Sequence, residues 1–346
     1  MAAVYEFDPI ADPRWNALVH RHPRGGVFHS PQWLAALKAA YGYEPFAVTS
    51  SPSDSPEMGD GIVFCRIKSW LTGSRLVSLP FSDHCEPLVD GQDQLNSLLA
   101  YVEQVSSAQK LKYVEVRPVF SQPEPAGFSA GESFHFHRLD LTNSPEALFR
   151  SFHKDCIQRK VRRAERELLD YEEGNSEEFL QKFYKLLLLT RRRHQLPPQP
   201  ISWFRSLIAN LGDILKIRIA AKDGRPVASI LTLSYKKIVV YKYGCSDASA
   251  NNMGGTPFLF WKTIQEAKEQ GMVELDMGRS DSDNPGLIAF KEHWGAQPST
   301  LVYWRYPKPA AQRHSSWKTR LARQLVSAVP DSSLVAAGKL LYRHIG

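Results

Sequence analysis

The chain has little cysteine, in no arrangement that a metal or disulfide framework would need. Cys65, Cys85, Cys156 and Cys245 are the only four in 346 residues, and no two are spaced as Cys-x-x-Cys. Neither a zinc site nor a disulfide scaffold is expected, and the pattern suits a reducing compartment. Long apolar runs are also missing. Nowhere do 18 apolar residues follow one another, and "MAAVYEFDPIADPRWNAL" has no basic segment leading into an apolar one. The expectation is a cytoplasmic chain, neither secreted nor membrane-spanning. No Gly-x-Ser-x-Gly elbow, Walker loop or dinucleotide fingerprint occurs, which removes the motif-based grounds for those enzyme classes.

Net charge is missing too, except at one end. The formal net charge of +7 looks global, yet from Arg305 onward eight Lys or Arg meet Asp331 alone. That tail therefore carries the whole excess, residues 1 to 304 are neutral overall, and basic clusters within them are local features. What is present is a globular composition, 43% hydrophobic and 11% aromatic. A chain this long suits two domains of about 150 residues each.

Local signals divide it accordingly. Ser30 as N-cap, Pro31 and Gly42 frame a helix on "SPQWLAALKAAYG", and "EPFAVTS", "GIVFCRIKS", "SRLVSLPF" and "KYVEVRPV" read as strands around the amphipathic "QLNSLLAYVEQVSSAQK". After the loop near residue 130, "FHFHRLDL" reads as a strand. Ser144-Pro145-Glu146 opens a helix running to about Leu169, and helices follow on "SEEFLQKFYKLLLLTRRRHQ" and "ISWFRSLIANLG". Three strands joined by turns at Lys222-Asp223-Gly224 and Tyr235-Lys236-Lys237 come next, then helix, strand, helix and strand to about residue 306. The two halves look like a divergent duplication of one α/β unit, with boundaries at 1–130, 131–306 and a 307–346 tail.

"HKDCIQRKVRRAERE", residues 153–167, is the densest local charge. On one helix, Leu148, Phe152, Ile157, Val161, Ala164 and Leu168 supply a buried side, and Arg159, Arg163 and Arg166 fall at i, i+4, i+7 on another. Like charges so spaced repel by a few tenths of a kcal/mol each, which a bound anion would relieve. A solvated helix face, a phosphate clamp and a nucleic-acid contact all fit. Asp83 in "LPFSDHCEP" is either a turn residue or a carboxylate able to orient or deprotonate an amine. Tyr241 and Tyr243, two apart on a strand, should share a face that lines a cleft or a core. His135 and His137 also share a face, with no third metal ligand in view, so no metal is expected. "TRRRHQ" at 190–195 reads as cations complementing a helix C-terminus.

Six stretches, "VFHSPQWLAALKAAYG", "SLPFSDHCEPL", "FHKDCIQRKVRRAER", "VYKYGCSD", "GMVELDMGRSD" and "LIAFKEHWGA", occur in the order and spacing of the Fem family. The chain resembles those FemAB-like peptidyltransferases over about residues 27 to 306, most of all the exopolysaccharide- and exosortase-associated branch. The resemblance implies two tandem GNAT-like α/β domains with mixed sheets flanked by helices. It further implies an acyltransferase acting on an amine of an anionic, phosphate-bearing envelope precursor held between the domains. It places Asp83 at the active cleft, Lys38 and Arg159 against the acceptor, and Lys291, in "FKEHWG", at the donor or the tetrahedral oxyanion. Tyr243 joins Asp83 and Lys291 as a catalytic candidate, and Arg163 and Tyr241 join Lys38 and Arg159 as binding candidates. No tightly bound cofactor is expected, and the donor is either an aminoacyl-tRNA or an acyl-CoA. "DASANNMGGTPF", at the strand-to-helix loop that holds pyrophosphate in acetyl-CoA enzymes, lacks their Arg or Gln. The competing readings are an acyl-CoA-dependent N-acyltransferase of exopolysaccharide synthesis and a non-catalytic scaffold for polyanions or membrane. Trp317, Leu321 and Leu325 stripe the basic tail, which suits either packing on the domain or docking at the inner face of the membrane.

Overall fold

The structure, a computed structural model, describes residues 3–119, 124–308 and 330–345. The Trp317, Leu321 and Leu325 stripe lies outside the described residues. Chain contacts divide the described residues into two compact units, 3–134 with 300–308 and 340–345, and 135–299 with 330–339.

The first unit opens with β1 (Tyr5–Phe7), α1 (Pro13–Arg21), α2 (Pro31–Tyr41) and β2 (Glu44–Thr49). Ser30 Oγ accepts the Trp33 N–H at 3.2 Å, Pro31 needs no donor at the first helical position, and Gly42 ends α2 at φ 71°. Strands β3 (Ile62–Ile67) and β4 (Arg75–Ser78) continue an antiparallel meander. Helix α3 (Gln92–Ala108) then carries the chain over the sheet to β5 (Tyr113–Val116), which pairs parallel with β4. A parallel pair needs such a crossover. Leu95, Leu98, Leu99 and Val102 of α3 pack on Phe64, Leu76 and Val114 of the sheet.

The second unit repeats that plan. Strand β6 (Ser129–Asp140) leads through α4 (Pro145–Ser151) and α5 (Arg159–Arg166) to β7 (Asp170–Gly174), α6 (Glu177–Arg193) and α7 (Ile201–Leu211). Strands β8 (Leu215–Lys222), β9 (Arg225–Tyr235) and β10 (Ile238–Ser246) form an antiparallel meander with β7. Asp223 at φ 51° and Gly224 at φ 73° make the two-residue turn expected between β8 and β9. Helix α8 (Gly255–Glu269) crosses over to β11 (Glu274–Ser280), parallel to β10 and antiparallel to β6. Helix α9 (Pro285–Glu292), β12 (Gln297–Tyr306) and α10 (Asp331–Ile345) complete the order. Meander, crossover helix and parallel strand thus occur twice, as β1–β4/α3/β5 and as β7–β10/α8/β11. Among the described residues, no helix is long and apolar enough to cross a membrane.

Two expectations change. The end of β12 belongs with the first unit, not with 131–306, because Trp304 and Arg305 pair with Val116 and Glu115 of β5. The helix expected from 145 to 169 is broken: α4 ends at Ser151, Phe152 is extended, and Lys154–Gln158 form a π-helical turn before α5. The His153 ring caps that turn, Nδ1 accepting the N–H of Asp155 and Cys156 at 3.3 and 3.2 Å. Leu168 then turns at φ 53° and is exposed, and Leu169 takes its place in the core.

Candidate active site

Strand β10 decides which residues meet. Its register against β9 pairs Tyr241 with Thr232 and Tyr243 with Leu231, so a bulge absorbs Lys242. One extra residue shifts the alternation, and the two tyrosines no longer share a face as expected. Tyr241 packs at a tilt against Phe260 of α8, 4.7 Å between centroids, whereas Tyr243 packs against Phe183 and Phe204 of α6 and α7. There its hydroxyl accepts the Trp203 indole N–H at 2.9 Å. Tyr243 is half-buried there and does not line the cavity beside Tyr241.

On the Tyr241 side lies a cavity of about 350 Å³. Its wall includes Tyr241, Gly244 and Ser246 of β10, the α8 start at Gly255 and Thr256, and Phe290 of α9. Three basic groups border it: Lys160 of α5, and Arg193 and His194 at the end of α6. Among the described residues, no Asp or Glu lines it. Each contributor is held there by a specific fit. A Cβ on Gly244 would stand 2.0 Å from the Tyr241 hydroxyl, so glycine lets the phenol lie across the strand. Gly254, at φ 82°, brings the α8 start against α5, where a Cβ would stand 2.3 Å from the Lys160 carbonyl oxygen. Thr190 Oγ1 donates to Ser246 O at 3.2 Å and accepts its N–H at 3.0 Å, fastening the end of α6 to the end of β10.

The electrostatics favour an anion. Helix α8 has glycine at its N-cap and no side-chain cap, and its first residues Gly255 and Thr256 line the cavity, which puts the positive end of its dipole at the wall. Burial, then the charges of Arg193 and Arg191, lower the pKa of His194. Burial pushes the Tyr241 phenol up, so it stays protonated and can donate. Cys245 also lines the cavity, but its thiol points to the carbonyls of Phe183 and Ser229, 3.6 Å from each, and burial raises its pKa. That thiol is no nucleophile.

Other candidates fall elsewhere. Lys291, expected at the donor or the oxyanion, is buried at 1% exposure, its ammonium donating to the carbonyls of Gly278 and Arg279 at 2.7 and 2.9 Å. It ties α9 to the irregular end of β11, where the β6 register shifts between Asp276 and Arg279. The buried His137 nearby has its pKa lowered by burial first and then by the Lys291 charge. Arg159 and Arg163 are exposed and paired along their own helix, with Asp155 at 2.9 Å and Glu167 at 3.4 Å. Their mutual repulsion is thus already offset without a bound anion. Neither borders the cavity; Lys160, between them in sequence, does. The sequence had not singled out Lys160, Arg193 or His194. The run "TRRRHQ" held the signal, but only the Thr190 tie shows where it points.

In the first unit, Asp83 is half-buried in the loop after β4, and Lys38 is exposed on α2. That loop is rigidly braced: Arg117 donates to the carbonyls of Leu79 and Ser82 at 2.6 and 2.9 Å, and the Tyr303 hydroxyl donates to the Asp83 carbonyl at 2.6 Å. Buried Glu115 holds both Arg117 and Arg305. Burial works against its charge, but the two guanidiniums hold its carboxyl below the usual range. The sequence also missed a metal-type cluster of His153, Cys156 and His293, whose donor atoms lie within 4.8 Å of one another. His153 Nδ1 in that cluster is already the acceptor that caps the π-helical turn.

Residues 153–292 match the model of a GNAT acetyltransferase domain. A UDP-N-acetylmuramoylpentapeptide-lysine N(6)-alanyltransferase of Weissella viridescens is 25% identical over 162 residues, 44% of this chain and 46% of that one. The chain thus spans about half the length of this curated relative. The crystal structure of FemX superposes with a TM-score of 0.69 at 16% identity, covering 87% of this chain and 96% of that one. A tandem GNAT protein from the clavulanic acid biosynthesis pathway gives 0.54 at 12% identity, covering 89% and 99%.

Proposed function

We propose that the chain is a Fem-like acyltransferase of GNAT fold that transfers an aminoacyl or other acyl group to an amine of a phosphate-bearing envelope glycan or peptidoglycan precursor. The observation that carries the donor side is the cavity beside Tyr241. It has two permanent cations, an uncapped helix start and, among the described residues, no carboxylate in its wall. An activated acyl donor with phosphate groups, aminoacyl-tRNA or acyl-CoA, fits that chemistry. The Weissella relative, by its name an alanyltransferase to a muramoylpentapeptide lysine, supports the choice of an amine acceptor.

The amine attacks the donor carbonyl carbon, a C–N bond forms, and the ester C–O or thioester C–S bond breaks. The amine surrenders a proton and the leaving oxygen or sulfur gains one. Tyr241, kept protonated, supplies the leaving-group proton, and the base that takes the amine proton is assigned to Asp83 on the sequence resemblance alone. Direct attack needs no covalent enzyme intermediate. Lys38 contacts the acceptor's anionic groups, and no tightly bound cofactor takes part.

The test is donor consumption by the full chain, offered labelled aminoacyl-tRNA or acyl-CoA with a muramoylpentapeptide acceptor. One donor should be consumed, and Tyr241→Phe should slow its turnover about 100-fold or more while donor affinity stays within about threefold. Consumption of neither donor, or full turnover by Tyr241→Phe, overturns the assignment.

A further inference from the structure

We propose that the β3–β4 turn and the last turns of α10 form a docking face for an anionic lipid surface. Trp70 at 83% exposure and Leu71 at 55% stand on the turn, and Leu340 at 63% and Ile345 at 46% on the helix. These are four of the nine exposed large apolar side chains of the described residues, and they gather on two elements that touch. Such a patch on an otherwise polar surface marks an interaction site.

The face is preformed. Ser69 Oγ meets His344 Nδ1 at 3.0 Å, and Thr72 Oγ1 and Arg75 Nη2 each donate to the His344 carbonyl at 2.7 Å. Tyr43 Oη donates to the Tyr342 carbonyl at 2.7 Å, and the Trp70 ring meets the His344 ring at 5.5 Å. The carbonyls of Tyr342 and His344 at the helix end are therefore satisfied, while the apolar groups beside them are left to solvent.

Charge selects the occupant. Lys68 and Arg343 are exposed beside the patch, and Lys112 reaches across the turn to the Thr72 carbonyl at 3.1 Å. Glu44 is already held by Lys68 at 2.8 Å. An exposed indole with flanking leucines and lysines matches the headgroup region, where Trp settles and basic side chains meet anionic lipid. The α10 side of this face lies within the 307–346 tail for which packing or membrane docking was expected, the β3–β4 turn does not, and the face does not depend on the transferase reading.

The experiment is co-sedimentation of the full chain with vesicles of phosphatidylcholine alone or mixed with phosphatidylglycerol. Wild type should bind the mixed vesicles and release them at high salt. Trp70→Ala with Leu71→Ala should weaken binding about tenfold or more, and Lys68→Glu with Arg343→Glu should abolish the preference for anionic vesicles. All four positions are exposed, so melting curves should stay unchanged, and transfer to a water-soluble acceptor should persist. Equal binding to both vesicle types, or undiminished binding by the Trp70/Leu71 variant, overturns the proposal. So does a concentration-dependent dimer that the same variant dissolves, which would make the face an interface between two copies.

Discussion

His29 holds a fixed tautomer in the core of the first unit. Its Nδ1 accepts the Gly26 N–H at 3.1 Å, and its Nε2–H donates to the Glu86 carbonyl at 2.7 Å. A proton added at Nδ1 would face an N–H, and burial, the larger cause, lowers the pKa to about 4. The unfolded chain takes up that proton below about pH 6.5 and the folded chain does not. Stability from His29 is therefore complete above about 6.5 and falls as pH drops toward 4, by about 2 kcal/mol at pH 5. Urea unfolding at pH 7.5 and 5 should show the loss, and His29→Gln should flatten the difference by about that amount. An unchanged difference in the variant would remove His29 as its source. Lys291 illustrates the other fate of a buried titratable group. Its Nζ donates to two backbone carbonyls, which ties α9 to the end of β11.

Gly254 shows how two elements set a site. Its left-handed φ of 82° and the backbone contact with Lys160 both demand glycine, and together they bring the α8 start to α5. Gly254→Ala must strain the backbone and push the helices apart, costing about 3 kcal/mol or more and weakening donor binding. Gly271, at φ 70° with open space for 4 Å around the place a Cβ would occupy, is the control. Gly271→Ala should cost only about 1 kcal/mol and leave the cavity intact. Equal thermal shifts in the two variants would mean the Lys160 contact is unimportant. The same scale explains what sequence could and could not reveal. The caps at Ser30 and Ser144, each followed by proline, and the Asp223-Gly224 turn are local signals and fall where expected. The break in the basic helix is not local, because the His153 N–H is taken by the His293 carbonyl at 2.8 Å, far along the chain. The β10 bulge is likewise a property of its pairing with β9, and it sends Tyr243 to the opposite face from Tyr241.

Across the whole molecule, two copies of one plan carry different chemistry. The second-unit copy holds a cationic cavity at the start of its crossover helix, and the first-unit copy braces a loop bearing Asp83 through Arg117 and Tyr303. The duplication was legible because each copy repeats its own strand and helix signals. The cavity's cations were not, because Lys160, Arg193 and His194 come from two helices that only tertiary packing brings together. If the copies divide the labour as proposed, the kinetic constants should separate. Lys160→Glu should raise the donor KM about tenfold and leave the acceptor KM within about twofold, and Lys38→Glu should do the reverse. Asp83→Asn keeps the shape of the loop and removes the base, so it should lower kcat with little change in either KM. The Lys160 effect should shrink at high salt, since an exposed ammonium acts through a screened charge. A Lys160→Glu variant that shifts both KM values together would contradict separate binding of donor and acceptor. The assignment of the cavity to the donor would then fall, even with the fold intact.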